Sequence, residues 1–501
     1  MKNYKLIDIL KKFDGEEILL LKQFVLSPYF VKQQSVIEFA TIVLTEFPSF
    51  ESLDLDDQAL YKLLYPGKKY KRTTIFKLMN QMIACINQFL TIENFRKDYE
   101  DQGPRLLEEL RKKGIGSEFQ RVSSKLNDEF ETGKKDQEHY YHLMRFENEL
   151  DTYYNLSKEH VGYSQYLQKK ANALDTFFIS SKLRIVCDMV NRKNILSYDY
   201  EISMLDVILD YVESDINRFE NHSAVSIYYR ILLTLTKPAI EENYFKLIEL
   251  LDRASNDFTR EELKEMYIYA KNYCIKQLNS GRVDYESHLF NLYCKLIETG
   301  LIYDNHIISQ WDYKNIISTS LRLSEFQWTE NFIQYNKEKL HPDFREVAYN
   351  YNLASLLYEK KDFPGALRTL NLFNDAMKKV SDPQFNDTFY NLDSRTMFLK
   401  IYFESNEDET LWATIESFKS YLVRNKKLSE RQRKIYLNLL KYTKKLIHQR
   451  DKLLENRGSR VVKYPIRYSV KKLKNEISLD KNIVNLSWLL ARIDEFEKEL
   501  D

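Results

Sequence analysis

Two groups of residues have the types and spacing to do chemistry. His139 and His142 stand three apart on one helical face, with Glu138 and Glu149 nearby. That is the start of a zinc-binding arrangement. A site needs a third ligand at a matching position, and the spacing supplies none. The expected reading is two solvent-facing or hydrogen-bonded histidines, with no metal. The second group is electrostatic. Lys419 to Lys474 holds 19 Lys and Arg against 3 Asp and Glu, a formal +16, which leaves −15 on the rest of a chain whose total is +1. Within it Lys434, Lys441, Lys445, His448 and Lys452 fall in one stripe, displaced by one residue and so about 100° round the helix from its apolar face. Such a stripe can follow the phosphates of RNA or DNA, with Tyr442, Tyr464 and Tyr468 available for stacking. It can equally dock an acidic protein surface, or be a solvated face whose charge is balanced elsewhere in the fold.

Other chemistry is missing from the pattern. The sequence has no phosphate loop, nucleophile elbow, paired metal cysteines or histidine-glutamate zinc helix. With 11 glycines in 501 residues, a backbone cradle for phosphate has few places to form. No pair of carboxylates is singled out for acid-base work. No catalytic residue and no cofactor is therefore expected, and the chain reads as a non-enzyme. Cys85, Cys187, Cys274 and Cys294 lie far apart in apolar, helical surroundings, as buried thiols in a reducing compartment do. Asp8, Lys11 and Lys12 interrupt any apolar core of a signal peptide, and the apolar runs are too short to span a bilayer. A cytoplasmic protein without a membrane partner is the expectation.

The elements that must position these residues are helices. Glycine and proline (9) are scarce, and Leu, Ile, Tyr and Phe are abundant. Residues 1–100 read as an N-terminal helical domain. Asp14 with Glu17 forms a capping box there, and Ile75, Met79, Met82, Ile86 and Phe89 form the stripe of a long helix. The basic turn Lys68-Lys69-Tyr70-Lys71-Arg72 before it suits a DNA-reading helix, but that helix shows no row of base-reading side chains, so a solvated turn is expected. Residues 104–215 are long helices with little punctuation. Ser117 with Gln120 is a candidate capping box, and a helix is expected from near Glu159 to Val190. Residues 216–450 carry paired helices. Candidate starts lie at Thr259 with Glu262, Asp343 with Glu346, Asp382-Pro383, Asn406 with Glu409, and Ser429 with Gln432. Residues 451–501 are a basic linker, with a loop at Arg457-Gly458-Ser459-Arg460, and a last helix bearing Ile483, Leu486, Leu490, Ile493 and Phe496.

The best-defined pair is Phe344–Tyr358 and Pro364–Lys379, joined at Lys360-Lys361-Asp362-Phe363. Leu353, Ala354 and Ala366 stand at the positions of a tetratricopeptide (TPR) signature, and Leu357 and Leu370 supply large apolar groups where the motif has aromatics. Asn350, Phe373 and Lys378 depart from it. The unit thus resembles a divergent TPR repeat. The resemblance implies an all-α fold: an irregular TPR-like α-solenoid with an N-terminal helical domain and a C-terminal capping helix. It further implies a concave surface lined by the first helix of each pair. In the best-matched unit that surface would present Tyr351, Ser355, Tyr358 and Glu359 to a protein partner. In the preceding pair it would present Lys314, Ser318 and Arg322. For Tyr351 and Tyr358 simple packing between layers is the alternative. The chain as a whole also resembles a bacterial family of similar length that brings no activity with it. The residues behind that resemblance are Ser27-Pro28-Tyr29-Phe30, Tyr65-Pro66-Gly67-Lys68, Trp311 with Trp328, and Arg424 to Ser429. The expected function is a scaffold or adaptor for another protein. The alternative is a nucleic-acid-associated or regulatory protein using residues 419–474.

Overall fold

The computed structural model describes residues 4–50, 57–156, 164–196, 198–220, 222–380, 388–455, 463–480 and 482–500. The expected start near Glu159, the Asp382-Pro383 cap and the Arg457 to Arg460 loop lie outside them. Among the described residues the fold is all-α. The one β element is a two-residue antiparallel pair, Tyr303–Asp304 with Ile307–Ile308. The chain forms two compact units, Met1–Leu263 and Lys264–Asp501.

The first unit opens with α1 (Lys5–Leu10), α2 (Gly15–Leu26), α3 (Gln34–Thr45), α4 (Asp57–Leu64) and α5 (Arg72–Lys97). Ile75, Met79, Met82, Ile86 and Phe89 of α5 are all buried, and α1 to α4 pack on that stripe to close a core of their own. The basic turn precedes a core helix: Arg72 lies over the Phe76 ring, 5.2 Å from its centroid, and α5 spends its face on packing. The Asp14–Glu17 capping box forms in both directions, at 2.8 and 3.0 Å. Then follow α6 (Tyr99–Lys112), α7 (Gly116–Thr132), α8 (Gln137–Leu156) and α9 (Ser164–Leu196). Phe119, Leu126, Phe130 and Phe146 form the core shared by α6, α7 and α8. After α10 (Leu205–Ser214) and α11 (Ile216–Glu220), α12 (Ser223–Thr236) packs on both α9 and α13 (Glu241–Arg253).

The helix α14 (Arg260–Asn279) starts where Thr259 accepts the Glu262 backbone N–H at 3.2 Å. The second unit continues with α15 (Tyr285–Glu298), α16 (Gln310–Arg322), α17 (Phe326–Asn336), α18 (Arg345–Glu359), α19 (Phe363–Lys379), α20 (Thr388–Glu404) and α21 (Asp408–Arg424). It ends with α22 (Glu430–Glu455), α23 (Lys463–Leu479) and α24 (Leu486–Leu500). Each helix packs on the next. In addition α16 touches α18 and α18 touches α20, so the first helices of successive hairpins form a row of their own. This is an irregular array of helical hairpins. Each hairpin has an apolar face that only a neighbour can cover. In the α18–α19 hairpin Ala354 and Ala366 are fully buried, which allows the close approach expected of them. The C-terminal α24 closes the array by burying Trp488, Leu489, Ile493 and Phe496 against α22 and α23.

Three expected caps are corrected. Phe344, not Asp343, precedes α18, and no side chain caps it. Ser117 lies inside α7, which Ile115 precedes. Glu407 precedes α21, while Asn406 has φ +56° and accepts a hydrogen bond from Arg450 at 2.9 Å. The cap of this region is instead Asp362, whose carboxylate accepts the Gly365 N–H at 2.9 Å and starts α19. The Ser429–Gln432 box forms as expected.

Candidate partner-binding cleft

The row α16–α18–α20 sets one turn of each helix along a common groove. It encloses a cleft of about 410 Å³ lined by Ser318 and Arg322, by Tyr351, Ser355, Tyr358 and Glu359, and by Asp393 and Lys400, with Asn485 at its end. The residues named from the sequence on α18 therefore meet in one place, together with Arg322. Lys314 sits beside it, its ammonium 2.5 Å from the Asp393 carboxylate and over the rings of Tyr351 and Tyr390, at 5.1 and 4.7 Å.

The two tyrosines are mainly walls. Tyr351 is buried and packs on Tyr390 and Phe373, with centroids at 5.0 and 5.9 Å. Burial pushes its phenol far above the ordinary value, so it stays neutral. Tyr358 is buried too and donates to Glu404. Ser355 turns its hydroxyl back to the Tyr351 carbonyl, 3.0 Å away, and Arg322 is paired with Glu286.

Beneath the cleft lies a network that the sequence reading missed. Glu404, almost fully buried, takes hydrogen bonds from Tyr358, from the Trp488 indole at 2.8 Å and from Lys361 at 2.9 Å, with Arg492 at 3.3 Å. Burial alone would raise its carboxyl; these donors hold it below the ordinary value. Lys400, one turn earlier on α20, donates to Asn485 at 2.6 Å, and burial pushes its ammonium down to about 8 against the pull of Glu359, Glu404 and Asp393. The signal was present: Lys400 and Glu404 sit four apart in an otherwise apolar run, where a charge demands a partner.

The basic segment is differently arranged from its one-dimensional pattern. Lys441 and Lys445 both meet Glu476 of α23, at 3.5 and 2.6 Å. Lys474 is held by Asp494 and Glu497 of α24. Lys434 is exposed and Lys452 half-buried. Tyr442 is buried, with its hydroxyl 3.1 Å from Asp480, so it cannot stack on a base. Tyr464 and Tyr468 are the exposed aromatics, on α23. The histidines of α8 are buried and not solvent-facing. His139 lies 3.6 Å from a Glu100 oxygen and His142 4.0 Å from Asp98 and Asp101. Among the described residues no three His, Cys, Asp or Glu are grouped to hold a metal, and no helix is long and apolar enough to cross a membrane.

The fold and cleft define a class, an all-α array of helical hairpins with a polar groove along its first helices. No protein-family model matches the sequence, and no curated protein does. Among solved structures the chain is similar to the crystal structure of APC/C hetero-tetramer Cut9-Hcn1, at 12% identity and a TM-score of 0.28, over 95% of this chain and 86% of that one.

Proposed function

We propose that the protein is a non-enzymatic scaffold or adaptor whose second unit holds an extended segment of another protein in the α16–α18–α20 cleft. The observation that carries this reading is the convergence of polar side chains from three successive first helices on one groove. The cleft offers Ser318, Ser355 and Glu359 beside the Lys314–Asp393 pair, with both donors and acceptors at hand. Its tyrosine walls are already ordered, so little side-chain entropy is lost when a chain lies against them. The test is recovery of a partner by the full-length protein against Ser355→Arg, which fills the groove from a half-buried position. Loss of the partner by the variant with unchanged thermal melting supports the reading; equal recovery by both refutes it.

A second reading has its own observation. The α23 face opposite the buried Ile466, Val470 and Leu473 carries exposed Tyr464, Tyr468, Lys471 and Lys472. Aromatic and cationic groups together on one helix face suit a single-stranded nucleic acid. A salt-dependent shift of labelled RNA, removed by Tyr468→Ala with Lys471→Glu, would favour it over the first.

A further inference from the structure

The first unit contains a second recess, of about 460 Å³, among α7, α8, α9, Arg218 of α11 and His222. At its floor is Glu147 of α8, 3% exposed, whose Oε2 has no hydrogen-bond partner among the described residues. The nearest cation is Lys169 of α9, 3.9 Å from the other carboxyl oxygen. His139, 2% exposed, also lines the recess with its Nδ1 lacking a hydrogen bond. Buried polar atoms of this kind are costly unless something satisfies them. Both residues line the recess, with Nδ1 of His139 turned toward a Glu100 oxygen 3.6 Å away. The recess is of the size that holds a small molecule and too small for a folded partner.

The surroundings select the ligand. Lys135 from the turn after α7, Lys169 of α9, Arg218 of α11 and Glu131 of α7 line it. The Lys135 ammonium also donates to the Phe130 carbonyl, and Arg218 lies 3.7 Å from Asp175. His222 caps the far side with its Nδ1 3.1 Å from the Tyr140 hydroxyl, and burial lowers its pKa, so it is neutral near pH 7. Phe130, Tyr140 and Leu143 supply an apolar wall. A cation would meet these positive groups. An anion with a hydrocarbon or ring body meets charge at one end and apolar surface at the other.

We propose that this recess binds a small organic anion, a carboxylate or phosphate monoester with an apolar body, one oxygen of which accepts a hydrogen bond from the protonated Glu147. The carboxyl suits that role because burial raises it from 4.5 to about 7. Protonation removes its repulsion of the anion and creates the donor. Binding therefore takes up a proton and tightens as pH falls through that value.

The experiment is calorimetric titration of the full chain with benzoate and with phenyl phosphate at about pH 6 and about pH 8, with benzylamine as the cationic control. The expected result is binding of one or both anions, about tenfold tighter at the lower pH. The preferred arm separates carboxylate from phosphate. Glu147→Gln, which is neutral at every pH, should bind at the higher pH as tightly as the native protein does at the lower and lose the pH dependence. Leu143→Trp, which fills the recess, should abolish binding. No binding of either anion overturns the proposal. So does binding of benzylamine with equal affinity, or an unchanged pH profile in Glu147→Gln.

Discussion

A carboxyl enclosed as Glu147 is changes the stability of the protein with pH. Its folded pKa of about 7 exceeds the unfolded 4.5, so the folded form binds the proton more tightly. Native stability from this group is fully present below the unfolded value and is lost as pH rises through the folded one, by up to about 3 kcal/mol. Glu147→Gln should therefore melt higher than the native protein at about pH 8, with the difference shrinking toward about pH 5. Thermal melting across that range checks it. Glu404 and Lys400 make an opposed pair of predictions. Removing the acceptor in Glu404→Ala strands Tyr358, Trp488, Lys361 and Arg492, at a cost of about 3 kcal/mol or more. Lys400→Met removes a charge that burial already disfavours and should cost under about 1.5 kcal/mol. Denaturant titration of both variants distinguishes them. At this scale the sequence was partly legible. The repeat resemblance pointed to Tyr351, Ser355, Tyr358 and Glu359, and these four line one cleft. Packing between layers, the alternative weighed for Tyr351 and Tyr358, is what the structure shows, but the spacing did not say that Lys314 and Arg322 already hold Asp393 and Glu286. Those depend on which helix comes alongside.

At the scale of single helices, local chemistry and tertiary packing compete for the ends. A polar residue followed by Glu or Gln three positions on recurs by chance in a chain with 30% charged residues. Asp14 and Ser429 were real caps because packing starts their helices there; Asp343, Ser117 and Asn406 were displaced by a residue or more. The contrast is testable. Asp362→Ala should cost about 1 kcal/mol through loss of the α19 cap, and Asp343→Ala only a few tenths. Gly365→Ala should act in the same direction as Asp362→Ala, because a Cβ there would lie 2.1 Å from the Asp362 carboxylate. Melting temperatures of the three variants rank these effects. The long apolar stripes were the most readable feature of the helices, since burial repeats with the helical period wherever a neighbour covers one face. That is why α5 runs much as its stripe reads.

Across the molecule, the charge imbalance in sequence is answered in part by neighbouring helices: Glu416 meets Lys444, Glu476 meets Lys441 and Lys445, and α24 supplies Asp494 and Glu497 to Lys474. Any salt-sensitive RNA association should therefore survive Lys441→Glu with Lys445→Glu and be lost on changing the α23 face, as a gel-shift titration would read. The all-α architecture was legible because it needs only composition and periodicity. The groove and the recess were not, because each is made by side chains from helices far apart in sequence. The most direct measurement of the central claim is site-specific photo-crosslinking in the native source. The cross-linker is placed at Ser318 or Ser355 inside the groove, and at exposed Leu372 of α19 as the control. The account predicts one defined protein partner captured from both groove positions and not from Leu372. Capture from Leu372 alone, or equally from all three, would contradict it.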